Sequence, residues 1–252
     1  IITTPASPGV RVAVDLDIDI SPPRRAMASI ASIDAAPQHG PRPLPLFLGL
    51  VQKVAAEDPA RAGRILAGLA AYQQAPRQPS AAEMPVAATA GRARLRDYGG
   101  SGRPVIFIPS LINPPAILDI APHHSMLRWL AANGIRPLLV DWGHPGADDR
   151  GMDIAGHVEH LLLPLIDAIG PDAALAGYCL GGTMAMAAAA LKPPSGLILI
   201  ASPWNFSAFP DQARADLAAL WAAAKDGVAM MQCLPMEVLQ SAFWRLDPDR
   251  TL

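Results

Sequence analysis

Short apolar runs and helix-period stretches alternate along the second half of this chain. Pro104 to Pro109 (Pro-Val-Ile-Phe-Ile-Pro), Arg136 to Asp141, Ala173 to Gly177 and Gly196 to Ala201 are too short and too evenly apolar for helices. They are predicted as strands, and Leu197 to Ile200 is expected to be buried. Ala93 to Tyr98 is predicted as a further strand. Between them lie three predicted helices. Ser125 to Ala132 has Ser125 as its cap, Asp153 to Ile169 follows, and Gly182 to Leu191 is alanine-rich. Strands alternating with helices imply an α/β fold with a mainly parallel sheet covered on both faces. No internal repeat is visible.

The flanks follow other patterns. Residues 1–43 read as disordered or extended, although Val10 to Ile20 alternates with period two as an edge strand would. Pro37 to Pro45 reads as a linker. Leu44 to Val54 and Pro59 to Tyr72 are predicted helices, the second capped by Asp58 with Pro59 at its first position. The proline-rich stretch Pro76 to Pro85 then separates this lead from the main domain. Asp211 to Lys225 and Met236 to Trp244 are predicted helices outside the alternation, as in a lid. The expected organisation is 1–43 extended, 44–85 helical lead and linker, 86–203 core, and 204–252 the start of a cap.

Composition narrows the class. Of 252 residues, 51% are apolar, so a sizeable core is available, and the net charge of −2 argues against nucleic acid as a main partner. No run approaches the roughly 18 apolar residues of a membrane span. No signal-peptide order opens the chain. Two cysteines, Cys179 and Cys233, fit a reducing, cytoplasmic setting. The chain begins with Ile1 and stops at Leu252 within a structured-looking run, so it is expected to be a fragment of a longer protein.

The candidate chemistry lies between the third and fourth apolar runs. Gly177-Tyr178-Cys179-Leu180-Gly181-Gly182 joins a strand to a helix and has the pattern of a nucleophile elbow, with cysteine at the apex. Small residues two before and two after the apex allow the sharp turn. The helix then begins under the sulfur, where its free N–H groups and positive dipole end favour negative charge. The competing reading makes Cys179 a small buried residue at a glycine-rich helix start.

Residues 103–204 resemble the polyhydroxyalkanoate synthase family, cysteine-dependent members of the α/β-hydrolase superfamily. The resemblance rests on Ile108 to Asn113 (similar to Pro-Pro-x-Ile-Asn), Ile117-Leu118-Asp119, Ser125 to Leu130, Asp141-Trp142-Gly143-His144-Pro145 (similar to Ser-Trp-Arg-Asn-Pro) and the box Gly177 to Gly182. It implies an α/β-hydrolase fold. It also implies that Cys179 takes a hydroxyacyl group from a coenzyme A thioester and passes it to a growing polyester. No bound cofactor or metal is implied. Leu180 N–H would be one oxyanion donor, and Leu111 or Ile112 would supply the other on a loop shaped by Asn113. Polyester granules are implied as surroundings, and a homodimer stays open.

Ser110, Pro114 and Pro115 depart from the family pattern, in a region that faces the acyl pocket in superfamily members. In the superfamily, acid and His follow the nucleophile. All six histidines here (His39, His123, His124, His144, His157, His160) precede Cys179, so the resemblance places acid and base outside this chain. A cysteine hydrolase of thioesters or polyesters is the alternative activity, and a non-catalytic granule-associated protein of the same fold is the third reading.

Other residues have competing roles. Asp153, His157 and His160 share a helical face at spacings that suit a metal or a plain polar face. His123 and His124 read as capping or surface residues. Asp119 either anchors the neighbouring loop through backbone N–H groups or is solvated. Cys233 reads as lid packing among Met230, Met231 and Leu234. Trp204, Phe206 and Phe209 line an acyl channel or pack a core.

Overall fold

Two antiparallel strands and four parallel ones form a single sheet in the spatial order Val86–Ala90, Ala93–Asp97, Arg136–Asp141, Pro104–Ile108, Ala174–Tyr178, Leu197–Ile200. The structure is a computed structural model that describes residues 44–76 and 83–246. The readings for residues 1–43 lie outside these, as does part of the proline-rich stretch.

Leu44–Glu57 (α1) and Pro59–Gln74 (α2) form a helical hairpin. Asp58 accepts from Arg61 N–H at 2.9 Å, with Pro59 at the position that needs no donor. Val51, Val54 and Ala62 form the small core of this pair.

The sheet opens with a hairpin, Val86–Ala90 (β1) and Ala93–Asp97 (β2). The period-two reading missed β1, because Val-Ala-Ala-Thr-Ala carries little apolar contrast. Gly91, with φ +54°, makes the turn between them. Pro104–Ile108 (β3) follows, then a short hairpin, Asp119–Ala121 (β4) with His124–Ser125 (β5). Met126–Ala132 (α3) starts at Ser125, whose hydroxyl accepts from Arg128 N–H at 3.1 Å. Arg136–Asp141 (β6) returns to the sheet beside β3.

The next helix is continuous but not uniform. Ile154–His157 (α4) passes through a π turn, Val158–Leu162, into Leu163–Ile169 (α5). Leu163 N–H reaches back to Val158 C=O. Pro164 has no N–H, and its ring would clash with a carbonyl four residues back, so the wider turn accommodates it.

Ala174–Tyr178 (β7) then lies on the other side of β3, Leu180–Leu191 (α6) follows, and Leu197–Ile200 (β8) forms the edge. Chain order therefore reverses around β3, and a crevice outside the carboxyl ends of parallel strands is the usual ligand site at such a switch.

Alternation along β3 divides the core. Ile106 and Ile108 face α5, the π turn and α6, together with Leu138, Val140, Leu162, Leu165, Leu175 and Met184. Val105 and Phe107 face the opposite way, with Leu127 of α3 and Leu139. The exception is β8. Leu197, Ile198 and Leu199 were expected to be buried, yet they are 40%, 50% and 44% exposed. Only β7 pairs with β8 among the described residues.

Asp211–Met231 (α7) and Met236–Leu246 (α8) pack on each other. Cys233 and Met230 are exposed at their junction rather than packed. No described helix is long and apolar enough to cross a membrane.

Candidate active site

Strand register builds the site. Ile108 pairs with Gly177 across β3 and β7, so the loop leaving β3 begins beside the end of β7. Tyr178 pairs with Ile200, and Cys179 N–H continues the ladder to Ile200 C=O at 2.9 Å. The carboxyl ends of β3, β7 and β8 thus converge on Cys179.

Cys179 has φ 54° and ψ −128°. That is a strained conformation for a residue with a β-carbon, costing about 1–3 kcal/mol. Its neighbours have given up their side chains to closeness. A β-carbon on Gly177 would lie 2.7 Å from Gly181 O and 2.8 Å from Gly182 N. One on Gly181 would run into Ile108 C=O and lie 2.6 Å from Pro109 O. One on Gly182 would collide with Ser202. Ala185 and Ala188 are fully buried and keep the rest of α6 close to the sheet. Leu180 is the first residue of α6, and helix geometry leaves its N–H without a partner four residues back.

The loop after β3 is held by two hydrogen bonds. Trp142, buried just past β6, donates from Nε1 to Pro109 C=O at 3.0 Å. Ile112 N–H donates to the fully buried Ser110 Oγ at 3.1 Å. Ile112 is therefore engaged within its own loop, while Asn113 is exposed. Leu111 packs on the main core. The loop after β8 is pinned as well. Thr183 Oγ1 donates to Pro203 C=O at 2.8 Å, and Ala201 takes φ 48°. Trp204 and Phe206 lie beyond this latch, 72% and 53% exposed, so neither packs a core among the described residues.

Two charged clusters flank these loops. The Arg92 guanidinium, on the β1–β2 turn, donates to Trp142 C=O and to His157 Nε2 (the latter at 2.7 Å), and its Nε lies 3.1 Å from Asp149 Oδ1. Gly146 N–H, donating at 2.6 Å, and then Arg92 hold the Asp149 carboxyl below its usual range. His157 Nδ1 meets Asp153 C=O at 2.7 Å, and the Asp153 carboxylate caps α4 through Gly156 N–H at 2.8 Å. Asp153 Oδ1 and both His157 nitrogens are thus engaged with protein groups. No group of three or more potential ligands occurs among the described residues.

Asp119 differs from both expectations for it. It is buried, and its donors are side chains rather than backbone: Tyr98 OH at 2.8 Å and Arg128 Nε at 3.1 Å and Nη2 at 3.2 Å. Burial alone would raise its pKa, but the bonds from Arg128, Ser125 and Tyr98 outweigh this and lower it. Burial, then Asp119, pushes the Tyr98 phenol upward, so it stays a donor. The network ties the β4–β5 hairpin and α3 to the end of β2. His123 lies in the hairpin's turn and His124 opens β5, with rings 4.6 Å apart, and Ser125 caps α3.

The sheet order, the elbow and the loop beside it agree with a family match over residues 105–251, described as the alpha/beta hydrolase family. The chain belongs to the alpha/beta hydrolase family. Within it, this hydrolase-fold chain is similar to poly(3-hydroxyalkanoate) polymerase of Methylorubrum extorquens, 32% identical over 99 residues, 37% of the chain and 16% of the relative. It is similar to poly(3-hydroxyalkanoate) polymerase subunit PhaC of Haloferax mediterranei, 36% identical over 95 residues, 36% of the chain and 19% of the relative. The corresponding subunit of Allochromatium vinosum is 30% identical over 155 residues, 58% of the chain and 42% of the relative. The alpha/beta hydrolase chain thus spans less than half the length of these relatives.

Sequence reasoning located Cys179 and its glycines but missed Trp142, Arg92, Thr183 and Ser202. Trp142 stood in a quoted motif, yet nothing local announced its partner 33 residues away.

Proposed function

We propose that the chain is the nucleophile-bearing part of an acyltransferase of the polyhydroxyalkanoate synthase type. The Cys179 thiolate adds to the carbonyl of a hydroxyacyl-coenzyme A thioester. The tetrahedral oxyanion collapses, the C–S bond to coenzyme A breaks, and coenzyme A leaves as its thiol once protonated. A hydroxyl at the end of a polyester chain then attacks the Cys179 acyl-enzyme; the C–S bond to Cys179 breaks and restores the thiolate, and the hydroxyl proton passes to solvent, balancing the one coenzyme A takes up. Leu180 N–H, at the start of α6, and Leu111 N–H, on the loop after β3, are the proposed oxyanion donors; removing such a donor typically costs about 10²–10³-fold. Ile112 is dropped from that role because Ser110 engages its N–H.

The observation that carries this reading is the strained Cys179 at the strand-to-helix turn, enclosed by glycines that admit no β-carbon. The similarity to poly(3-hydroxyalkanoate) polymerases supports the acyl acceptor. Residues 86–203 serve as the core of this activity, and 204–252 open a cap. The alpha/beta hydrolase match supports a second reading, in which water replaces the hydroxyl acceptor.

The test is incubation of the protein that carries this chain with hydroxybutyryl-coenzyme A, followed by peptide mass mapping and product analysis. An acyl adduct on Cys179 with polymer formed is the expected outcome. Free hydroxy acid without polymer would favour the hydrolase, and an adduct on Cys233 alone would remove Cys179 from the reaction.

A further inference from the structure

We propose that Trp142 is a positioning residue for the oxyanion loop, acting through the carbonyl of Pro109. This rests on the reading of Cys179 as nucleophile and of the β3 loop as an oxyanion donor.

The β3–β6 ladder reaches Phe107 paired with Leu139, and one residue past β3 stands Pro109, which has no N–H to continue any ladder. From Pro109 onward the loop is without sheet support. Its carbonyl is aimed by Trp142 Nε1 instead, at 3.0 Å in a buried setting. The same carbonyl lies against α6, since a β-carbon on Gly181 would come within 2.6 Å of it. Fixing this C=O fixes the plane of the Pro109–Ser110 peptide. That plane carries Ser110 N–H on its other edge and sets where the Ser110 α-carbon stands, and Ser110 Oγ closes a turn onto Ile112 N–H, so the Ser110–Leu111 peptide, which carries Leu111 N–H, is held between two anchored points.

Trp142 can act as a fixed reference because it is itself held at both ends. Its carbonyl accepts from Arg92, which also meets His157 and Asp149. Its ring meets the His157 ring edge-on, with centroids 6.2 Å apart and planes at 77°. The β1–β2 turn is thereby linked to the oxyanion loop through a single indole, and none of these residues touches the reacting atoms.

The experiment separates reactivity of the thiol from stabilisation of the oxyanion. Alkylation of Cys179 by iodoacetamide needs no oxyanion hole, whereas acylation by hydroxybutyryl-coenzyme A does. Both rates are measured in the wild-type protein, in Trp142→Phe, and in a protein with benzothienylalanine at position 142, which keeps the indole's shape and removes only its N–H. The expected result is acylation slowed by about 10–100-fold in both variants, as for a displaced oxyanion donor, with alkylation and KM unchanged. Acylation at the wild-type rate in the benzothienylalanine protein would overturn the proposal. So would equal losses of alkylation and acylation there, since that would make Trp142 a support of the whole elbow. A wild-type Cys179 that takes no acyl group would overturn the nucleophile assignment itself, and this inference with it.

Discussion

The backbone of Gly181 lies so close to Pro109 that a β-carbon on the glycine would stand 2.6 Å from the proline's carbonyl oxygen. The elbow helix and the loop after β3 thus approach each other main chain to main chain at this point.

Gly181→Val is expected to separate these two backbones. Both obstructing atoms belong to main chain, Ile108 O and Pro109 O, so neither can turn away. Overpacking of this kind costs about 1–3 kcal/mol. Thermal denaturation should show a fall of several degrees, and Cys179 acylation should fall further than stability does. Unchanged melting and turnover would contradict the elbow geometry described.

Asp119→Ala is expected to destabilise by about 1–3 kcal/mol, because Tyr98 OH and Arg128 lose a buried acceptor. The lowered pKa also gives a sign for pH. A carboxylate whose folded pKa lies below its unfolded value near 3.8 stabilises fully above that value and loses the contribution as pH falls through the folded one. Asp97, where burial works upward but is outweighed by Arg136 and Gly99 N–H so that the pKa is lowered, acts in the same direction. Melting temperature followed from pH 7 to about pH 3 should fall at the acid end, and less steeply in Asp119→Asn. Parallel curves for the two proteins would count against the network.

Ile198→Lys is expected to reduce self-association of the chain. The β8 edge presents Leu197, Ile198 and Leu199 with 40–50% exposure, and an apolar edge is a template for adding a strand. A lysine at such an edge discourages pairing, and little packing is lost because Ile198 is half exposed. Sedimentation velocity at several concentrations would read the change; identical association in both proteins would show that β8 is not the contact.

Thr183→Val is expected to loosen the loop after β8. It keeps the side-chain shape and removes the donor to Pro203 C=O, at a cost of about 0.5–1.5 kcal/mol. Hydrogen exchange at Trp204 and Asn205 should quicken while the amides of β7 stay protected. Unaltered exchange would mean that Ser202 and the Ala201 turn hold the loop without it.

Cys179 and its glycines were legible in the sequence because an elbow is a local device: spacing of two on either side decides whether the turn can form. The caps Asp58 and Ser125, the parallel strands from Pro104 onward and the helices between them were legible for the same reason. Each depends on residues within a few positions of one another. Only the tertiary structure decided the rest. It paired the low-contrast strand Val86–Ala90 with its neighbour, left β8 exposed, and turned Asp119 into the acceptor of a buried side-chain network. It also brought Arg92 to Trp142 and His157 across 50 and 65 residues, and Trp142 to Pro109 across 33. Such contacts follow from the order in which strands enter the sheet. Strand order is set by the burial of whole faces, and no local pattern along the chain encodes it.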